Sequence, residues 1–158
     1  MNEKHDAIAK RNLELCGEVG IGGLNKTLNV EFLVAEPDCV EARMPIGPHI
    51  TQPFGLVHGG ATIALLESAA SLGAGLRCNL EKEQPFGVDV HVRHRKSGRA
   101  GYVRGVAQYD HDEPSYGRAG GIKQYWTVTA YDDAGDVMSE GTIIVKVVER
   151  ARLAARDA

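Results

Sequence analysis

The stretch that decides the fold is HGGATIALLESAASLGAGLR, residues 58–77. From about residue 60 onward it is apolar nearly all round, and it is the only segment long enough for an extended helix. A helix without a polar face has to be buried, either under a sheet or against a partner. We therefore predict one long buried helix, ending at about Arg77, at the centre of the fold.

Strands are predicted on both sides of this helix. Alternating apolar and polar residues mark them, and Asp133-Ala134-Gly135 is a strong hairpin signal between the last two. One strand pair, one buried helix and a run of antiparallel strands predict an α+β fold, with an antiparallel sheet wrapped round the helix. The predicted strands span residues 28–34, 40–44, 88–92, 102–109, 124–132 and 137–148.

The remainder of the chain gives no sign of a second domain. Its 158 residues suit one domain, and they contain no repeat and no long linker. Residues 3–16 have the pattern of a moderately amphipathic helix, so residues 1–27 are predicted to be an N-terminal helix and connector. Residues 149–158 are predicted to be a polar tail, as a frayed helix if ordered. We expect a single domain over residues 1–158.

Composition narrows the classes of function. The chain has 18 Lys and Arg residues and 21 Asp and Glu residues, which gives a net charge of -3. A chain with this charge does not have the overall positive field of a nucleic-acid binder. The polar N-terminus lacks the apolar core of a signal peptide, and the longest apolar run, 61–66, is too short for a bilayer. The widely spaced Cys16, Cys39 and Cys78 favour a reduced compartment. We predict a cytoplasmic protein with no nucleic-acid partner, no membrane partner and no metal.

Glu67 is the only charged residue between Gly59 and Leu76, so the buried helix carries a single carboxylate. Burying a lone carboxylate is costly and requires partners or a raised pKa, which makes it a candidate for catalysis. Ser71 lies one turn further along the same face, where it can donate a hydrogen bond to the carboxylate. An alternative is that Glu67 pairs with a basic residue inside a subunit interface, and this residue alone leaves both interpretations open.

Gly59 and Gly60 open the predicted helix. Their backbone N–H groups are expected to be unpaired at the positive end of the helix dipole, with no side chain to block an approaching group. Such a site can polarise a carbonyl and hold the oxyanion of an acyl transfer. A simple tight entry turn is the alternative, since glycines serve that purpose as well.

The spacing of Gly59 and Glu67 predicts an assembly. The two residues are eight positions apart, which is about 12 Å along a helix. A reacting carbonyl must lie about 3 Å from its oxyanion donors and also close to the base or nucleophile. Both residues of one chain therefore cannot serve the same carbonyl, and we predict an obligate homodimer in which Gly59 of one subunit meets Glu67 of the other.

The segment QPFGLVHGG, residues 52–60, followed by Leu66-Glu67-Ser68, resembles the hotdog-fold thioesterases. The resemblance covers roughly residues 28–148 and is closest to the 4-hydroxybenzoyl-CoA thioesterase type, which includes phenylacetyl-CoA-pathway and 1,4-dihydroxy-2-naphthoyl-CoA enzymes. It implies paired subunits, with a dimer of dimers as the further expectation. The implied roles are Glu67 as nucleophile or general base, Gly59 N–H as polariser of the carbonyl with Gly60 beside it, Gln52 and His58 as orienting groups, Ser71 as support for Glu67, and Ser68 as part of the acyl pocket.

His94 is a further candidate for substrate binding. Strand alternation puts it on the face of Val88, Val90 and Val92, whereas His91 points the other way. Some relatives in the naphthoyl-CoA branch carry a histidine near this position that contacts the aroyl group. A histidine with a purely structural role is the alternative.

Residues 93–104 carry five basic side chains and no acidic one. Cationic side chains bind phosphates well, so this run is predicted to contact the phosphates of CoA; a solvated strand end and turn is the alternative. Residues 110–124 are longer than the corresponding turn of the family, which suggests either a pocket lid or an extended hairpin. The basic residues are Arg93, Arg95, Lys96, Arg99 and Arg104.

These observations together predict an enzyme that hydrolyses an acyl- or aroyl-CoA thioester to the free acid and CoA, without a metal or an organic cofactor. Two alternatives stay in view. One is a hotdog dehydratase, although the histidine and acid pattern of those enzymes is not found here. The other is an acyl-CoA-binding sensor that has lost catalysis, although a sensor has no need of a buried carboxylate.

Overall fold

The structure, a computed structural model, describes residues 22–116 and 120–154, together with residues 7 and 10. The helix predicted over residues 3–16 therefore lies almost entirely outside the described residues, as does Cys16. The described elements are a short helix α1 (Gly23–Thr27), a long helix α2 (Gly59–Arg77), a short helix α3 (Arg150–Ala154) and six strands, β1 (Glu31–Glu36), β2 (Cys39–Pro45), β3 (Glu83–His94), β4 (Tyr102–Pro114), β5 (Ile122–Tyr131) and β6 (Val137–Glu149).

The six strands form one antiparallel sheet in the order β1-β2-β4-β5-β6-β3. The predicted arrangement, a sheet wrapped round one long helix, is confirmed. The core lies between the concave face of the sheet and α2, where Leu65, Leu66, Trp126 and Ile143 are fully buried. None of the described helices is long and apolar enough to cross a membrane.

The described residues of the segment 110–124, namely 110–116 and 120–124, belong to an extended hairpin. Strand β4 continues to Pro114 and β5 begins at Ile122, and the ladder between them shifts its register between Tyr109 and His111. Two side-chain contacts tie the extension together on its outer face: His111 stacks on Tyr125 at 4.5 Å, and the Tyr125 hydroxyl donates to Glu113 at 2.7 Å. The hairpin alternative is therefore the one that the structure bears out for the described part of this segment.

Helix α2 begins and ends close to the predicted limits, and it lies unusually near the sheet. At Gly73 the helix backbone comes so close to the Trp126 ring that a Cβ at this position would overlap the ring atoms. At its C-terminal end, Arg77 forms an ion pair with Asp38 in the β1–β2 turn, and its guanidinium lies 3.4 Å above the Tyr109 ring. These contacts fix the axis of α2, and thereby the position of its N-terminus.

Strand β3 is an edge of the sheet. Its one partner among the described strands is β6, and a bulge interrupts that ladder between Gly87 and Asp89. Apolar side chains remain accessible along it, with Val88 50% and Val90 42% exposed. A long edge strand with exposed apolar residues is a ready template for pairing with another strand.

Candidate active site

The start of α2 presents one open backbone donor. The His58 side chain caps the helix, because its Nδ1 accepts a hydrogen bond of 2.9 Å from the Gly60 N–H. The next two amides, of Ala61 and Thr62, donate to the His58 carbonyl. The Gly59 N–H donates no hydrogen bond within the part of the chain that the structure describes. The expectation that both glycine amides are unpaired is therefore wrong for Gly60.

Gln52 lies in a tight turn just before the helix. Residues 52–56, named here the Gln52 turn, are closed by hydrogen bonds from Gln52 N to Leu56 O and from Gly55 N to Gln52 O. Gly55 has a φ of +76°, which suits glycine. The Gln52 Oε1 atom accepts the Phe54 N–H at 2.5 Å. Because a backbone N–H can only donate, this contact assigns the oxygen of the amide and leaves its NH₂ group as a donor.

Gln52 and Gly59 line the same cavity, of about 240 Å³. His94 lines it as well: its Nδ1 is 2.8 Å from the hydroxyl of the buried Ser139, and its Nε2 faces the Cα of Gly59. The pairing of His94 with Ser139 and of Val92 with Gly141 puts His94 on the helix side of β3, as strand alternation predicted. We call this the Gly59 cavity; Thr62, Lys96 and Met138 complete much of its wall.

Glu67 faces a different cavity, of about 380 Å³. Its Oε1 accepts a hydrogen bond of 3.3 Å from Ser71, as the spacing predicted. The same oxygen lies over Gly87 of β3, where any side chain would overlap it. Glu67 is half-buried rather than fully buried, and it forms no ion pair with the described residues. This Glu67 cavity is also lined by Gly60, Ile63, Ala64, Val88, Asp89 and Val90.

The Gly59 cavity and the Glu67 cavity share no lining residue. The structure thus brings Gly59, Gln52 and His94 together in one place, and Glu67 with Ser71 in another. This separation agrees with the rise along the helix, which sets the two residues about 12 Å apart. Within one chain, the Gly59 amide and the Glu67 carboxylate therefore open into separate cavities.

Ser68 and His58 line neither the Gly59 cavity nor the Glu67 cavity. The Ser68 hydroxyl donates to Asn25 at 2.7 Å and so fastens α1 to α2. Between these helices lies a cavity of about 320 Å³, which the His58 ring and Gly60 line together with Leu24 and Ala64. The structure therefore shows His58 as the helix cap and Ser68 as a tie between helices; neither lines the Gly59 cavity.

Most of the basic run at residues 93–104 already has acidic partners. Arg95 pairs with Glu140, Arg104 with Glu41 at 3.0 Å, and Lys96 with both Asp132 and Asp136 at 2.6 Å. The hydrogen bond from Lys96 holds the pKa of Asp132 below its ordinary value, and the two aspartates raise the pKa of Lys96. Arg99 donates instead to the Phe54 carbonyl at 3.0 Å. The remaining member, Arg93, forms no ion pair with the described residues.

Sequence reasoning missed two residues of these sites. Gly87 clears the space for the Glu67 carboxylate, and Ser139 holds the His94 ring. A glycine inside a strand can mark a close approach by another group, and this was the one available signal for Gly87. Ser139 gave none, because its contact depends on the pairing of β3 with β6.

Comparison with known proteins identifies the class. A model of the thioesterase superfamily matches residues 54–139, which include His58, Gly59 and Glu67. The chain belongs to this superfamily and is a thioester hydrolase. Its sheet wrapped round one helix is the hotdog fold, as the sequence resemblance implied.

Particular relatives cover most of the chain. It is 34% identical to the 1,4-dihydroxy-2-naphthoyl-CoA hydrolase of Escherichia coli K12, over 80% of this chain and 87% of that protein. It is 33% identical to the proofreading thioesterase EntH of Cronobacter turicensis, over 78% of this chain and 84% of that one. A crystal structure of a mutant of the thioesterase PA1618 from Pseudomonas aeruginosa superimposes with a TM-score of 0.75 at 26% identity, covering 87% of this chain and 94% of that one.

Proposed function

We propose that the protein hydrolyses an acyl- or aroyl-CoA thioester to the free acid and CoA. The observation that carries this proposal is the single open amide of Gly59 in a cavity that Gln52 also lines. With the Gln52 NH₂ group turned into the same cavity, two donors would serve one carbonyl oxygen, on which negative charge develops during acyl transfer. The name of the Escherichia coli relative, a hydrolase of an aroyl-CoA, supports the choice of a CoA thioester as substrate.

Glu67 supplies the reactive carboxylate. As a general base it takes a proton from water, whose oxygen adds to the thioester carbon; the C–S bond then breaks and the thiolate receives the proton. As a nucleophile it attacks the carbonyl carbon itself, expels the thiolate, and forms an anhydride that water cleaves. In either role the oxyanion accepts a hydrogen bond from the Gly59 N–H, and Ser71 orients the Glu67 carboxylate through its hydrogen bond to Oε1.

The reaction requires Gly59 and Glu67 from different subunits, because their cavities in one chain are separate. Strand β3 offers the means: Gly87 lies beside Glu67, and His94 lies beside Gly59. Antiparallel pairing of β3 with the β3 of a second copy, about an axis through His91, sets Gly87 opposite the partner's His94, because Val88 is the extra residue of the bulge. Glu67 then faces the partner's Gly59, and the exposed apolar edge of β3 is covered.

Thiol release from CoA esters tests the proposed activity. Wild-type protein is assayed with aroyl-, phenylacetyl- and medium-chain acyl-CoA by means of a chromogenic thiol reagent. Glu67→Ala is expected to lower kcat by about 10²-fold or more on the best substrate. Near wild-type turnover by this variant would refute the role of Glu67. Tight CoA binding without thiol release in the wild type would favour the sensor alternative.

Mixed dimers test the shared site. Glu67→Gln and Gln52→Ala chains are each expected to be almost inactive as homodimers. When the two are coexpressed, a mixed dimer has one site with the intact Gln52 of one chain and the intact Glu67 of the other. Random assembly should then restore about a quarter of wild-type activity. If both residues act from one chain, no mixed dimer has an intact site and the activity stays at the background level.

Two further proposals concern the assembly and the location of the protein. We propose that the dimers pair further into a dimer of dimers, which the native mass in solution will check. We also propose a reduced, cytoplasmic setting. The free thiols Cys39 and Cys78 suit it, and burial raises the pKa of the Cys39 thiol, which keeps this group protonated and unreactive.

A further inference from the structure

A loop after β3 is joined to the segment that carries Gln52. Residues 95–101, named here the bracket loop, make three hydrogen bonds to this segment. Gly98 O accepts from Val57 N at 2.9 Å, the Ser97 hydroxyl donates to Val57 O at 3.3 Å, and the Arg99 guanidinium donates to Phe54 O at 3.0 Å. Two of the three bonds support the chain just after the Gln52 turn, and the Arg99 bond alone reaches into the turn itself.

The bracket loop is also fixed on its other side. The backbone amides of Arg95 and Lys96 both donate to Met138 O of β6, and the Lys96 ammonium binds Asp132 and Asp136 in the β5–β6 hairpin. The Gly101 carbonyl accepts from Ile46 N after β2. Arg99 therefore extends from a loop that is anchored to the sheet.

Arg99 acts on the peptide groups next to Gln52. Its guanidinium holds the carbonyl of Phe54, while the N–H of the same residue donates to Gln52 Oε1. Gly55 adopts a φ of +76°, and a Cβ at this position would lie 3.3 Å from the Arg99 guanidinium. The backbone of Gly55 and the Arg99 guanidinium are therefore packed together. The contacts run from Arg99 through Phe54 to the amide group of Gln52.

We propose that Arg99 is a positioning residue that holds the Gln52 turn, so that the Gln52 NH₂ donors face the Gly59 cavity, and that it is not a ligand of the CoA phosphates. This inference rests on the proposed function. It replaces the expectation that Arg99 binds phosphate with the other members of the basic run, because its guanidinium is already directed at a backbone carbonyl. A hydrogen bond from a charged donor is among the stronger ones available to fix a turn.

The experiment compares two substrates with the same acyl group. One is the CoA ester, and the other is the N-acetylcysteamine thioester, which lacks all phosphates. Arg99→Gln is expected to lower kcat by about 3- to 10-fold on both substrates, with KM for the CoA ester changed by less than about 2-fold. Arg43→Gln is the control, because Arg43 is paired with Glu31 near the far edge of the sheet. The control is expected to keep wild-type kinetics on both.

A double variant separates positioning from general damage to the fold. In a Gln52→Ala background, Arg99→Gln is expected to have almost no further effect on kcat, since the group that it positions is already absent. Arg99→Lys, which keeps the charge but has a different donor geometry, is expected to give an intermediate kcat. Thermal melting of each variant shows whether the fold is kept.

Three results would overturn the inference. A loss confined to the CoA ester, as a rise in KM, assigns Arg99 to phosphate binding. An equal loss of kcat in the wild-type and Gln52→Ala backgrounds excludes an action through Gln52. Unchanged kinetics of Arg99→Gln exclude any role. The proposed function fails by a separate result, namely a wild-type protein that releases no thiol from any thioester tested.

Discussion

The Nε2 atom of His94 lies so close to the Cα of Gly59 that a Cβ added at position 59 would be 2.6 Å from it. No other residue type fits here without movement of the ring. The ring itself is held at its far side by Ser139, so it has little room to withdraw. This contact brings together a strand and the first residue of α2, and it places one polar side chain beside the open amide.

Gly59→Ala is therefore expected to lower kcat/KM by about 10²-fold, the cost of losing one oxyanion donor. The added methyl group displaces the His94 ring or the start of the helix, and it also blocks approach to the amide. Thiol release with the best CoA ester measures the loss. In Gly59→Ala/His94→Ala the overlap with the ring is absent, so the melting temperature should return to that of His94→Ala. A fully active Gly59→Ala protein would mean that the carbonyl binds elsewhere.

Gly87→Ala is expected to reduce kcat by about 10-fold with little change in stability. The new methyl group overlaps Oε1 of Glu67 and pushes the carboxylate off its position beside Ser71. A displacement of about 1 Å at a reacting group can cost this much or more. Steady-state kinetics and thermal melting are measured together. In a Glu67→Ala background the same substitution should leave the residual rate unchanged; a further fall there would contradict the explanation.

Gly73→Ala is expected to destabilise the fold by about 1–3 kcal/mol, a usual cost of overpacking a core. Its Cβ would overlap the ring of Trp126, which is fully buried against the helix. Since Trp126 is the one tryptophan of the sequence, its fluorescence reports unfolding in denaturant directly. Adding Trp126→Phe gives the ring less bulk, and part of the lost stability should return; because this variant has no tryptophan, circular dichroism follows its unfolding. Equal stability of Gly73→Ala and wild type would show that helix and sheet can separate without cost.

Asp132→Asn probes the ion pair with Lys96 through its dependence on pH. The hydrogen bond from Lys96 lowers the pKa of Asp132 from its ordinary value of 3.8. A carboxylate whose pKa is lower in the folded state stabilises the protein above the unfolded pKa, and this stabilisation is lost as the pH falls through the folded pKa. The wild type should thus melt above the variant near neutral pH, and the gap should close below about pH 4. A gap that stays constant as the pH falls well below 3.8, through the folded pKa, would rule out the charge of Asp132 as its source.

The long helix and the contact between Ser71 and Glu67 could be predicted from the sequence, because both depend on residues that are close together along the chain. An apolar run bounded by Gly59 and Arg77 gives the helix directly, and the residue spacing gives the hydrogen bond from Ser71 to Glu67. The occupied amide of Gly60 was missed. Asn, Asp, Ser and Thr are the usual caps, and nothing in a His-Gly-Gly sequence indicates that the imidazole turns back onto the helix.

Contacts between distant segments were beyond prediction. The run from Arg93 to Arg104 has no acid within it, yet its partners Glu41, Asp132 and Glu140 arrive from β2, the β5–β6 hairpin and β6. Pairing in the sheet decides which of these charges meet. The extension of β4 beyond Tyr109 stayed one of two alternatives for a related reason, because polar residues such as His111 and Glu113 do not show the apolar alternation that marks a strand.

The cap that His58 places on Gly60 also bears on how the product leaves. A helix start with several open amides attracts carboxylates, which can take two donors at once. Here the His58 imidazole accepts a hydrogen bond from the Gly60 amide, and of the two neighbouring glycine amides that of Gly59 remains open. A thioester has a single carbonyl oxygen to bind, whereas the acid that hydrolysis yields has two oxygens and a full charge. The helix start therefore gives the second oxygen of the product no donor, while the Gln52 NH₂ group is engaged with the first, and we expect the acid to dissociate readily and to be a weak inhibitor.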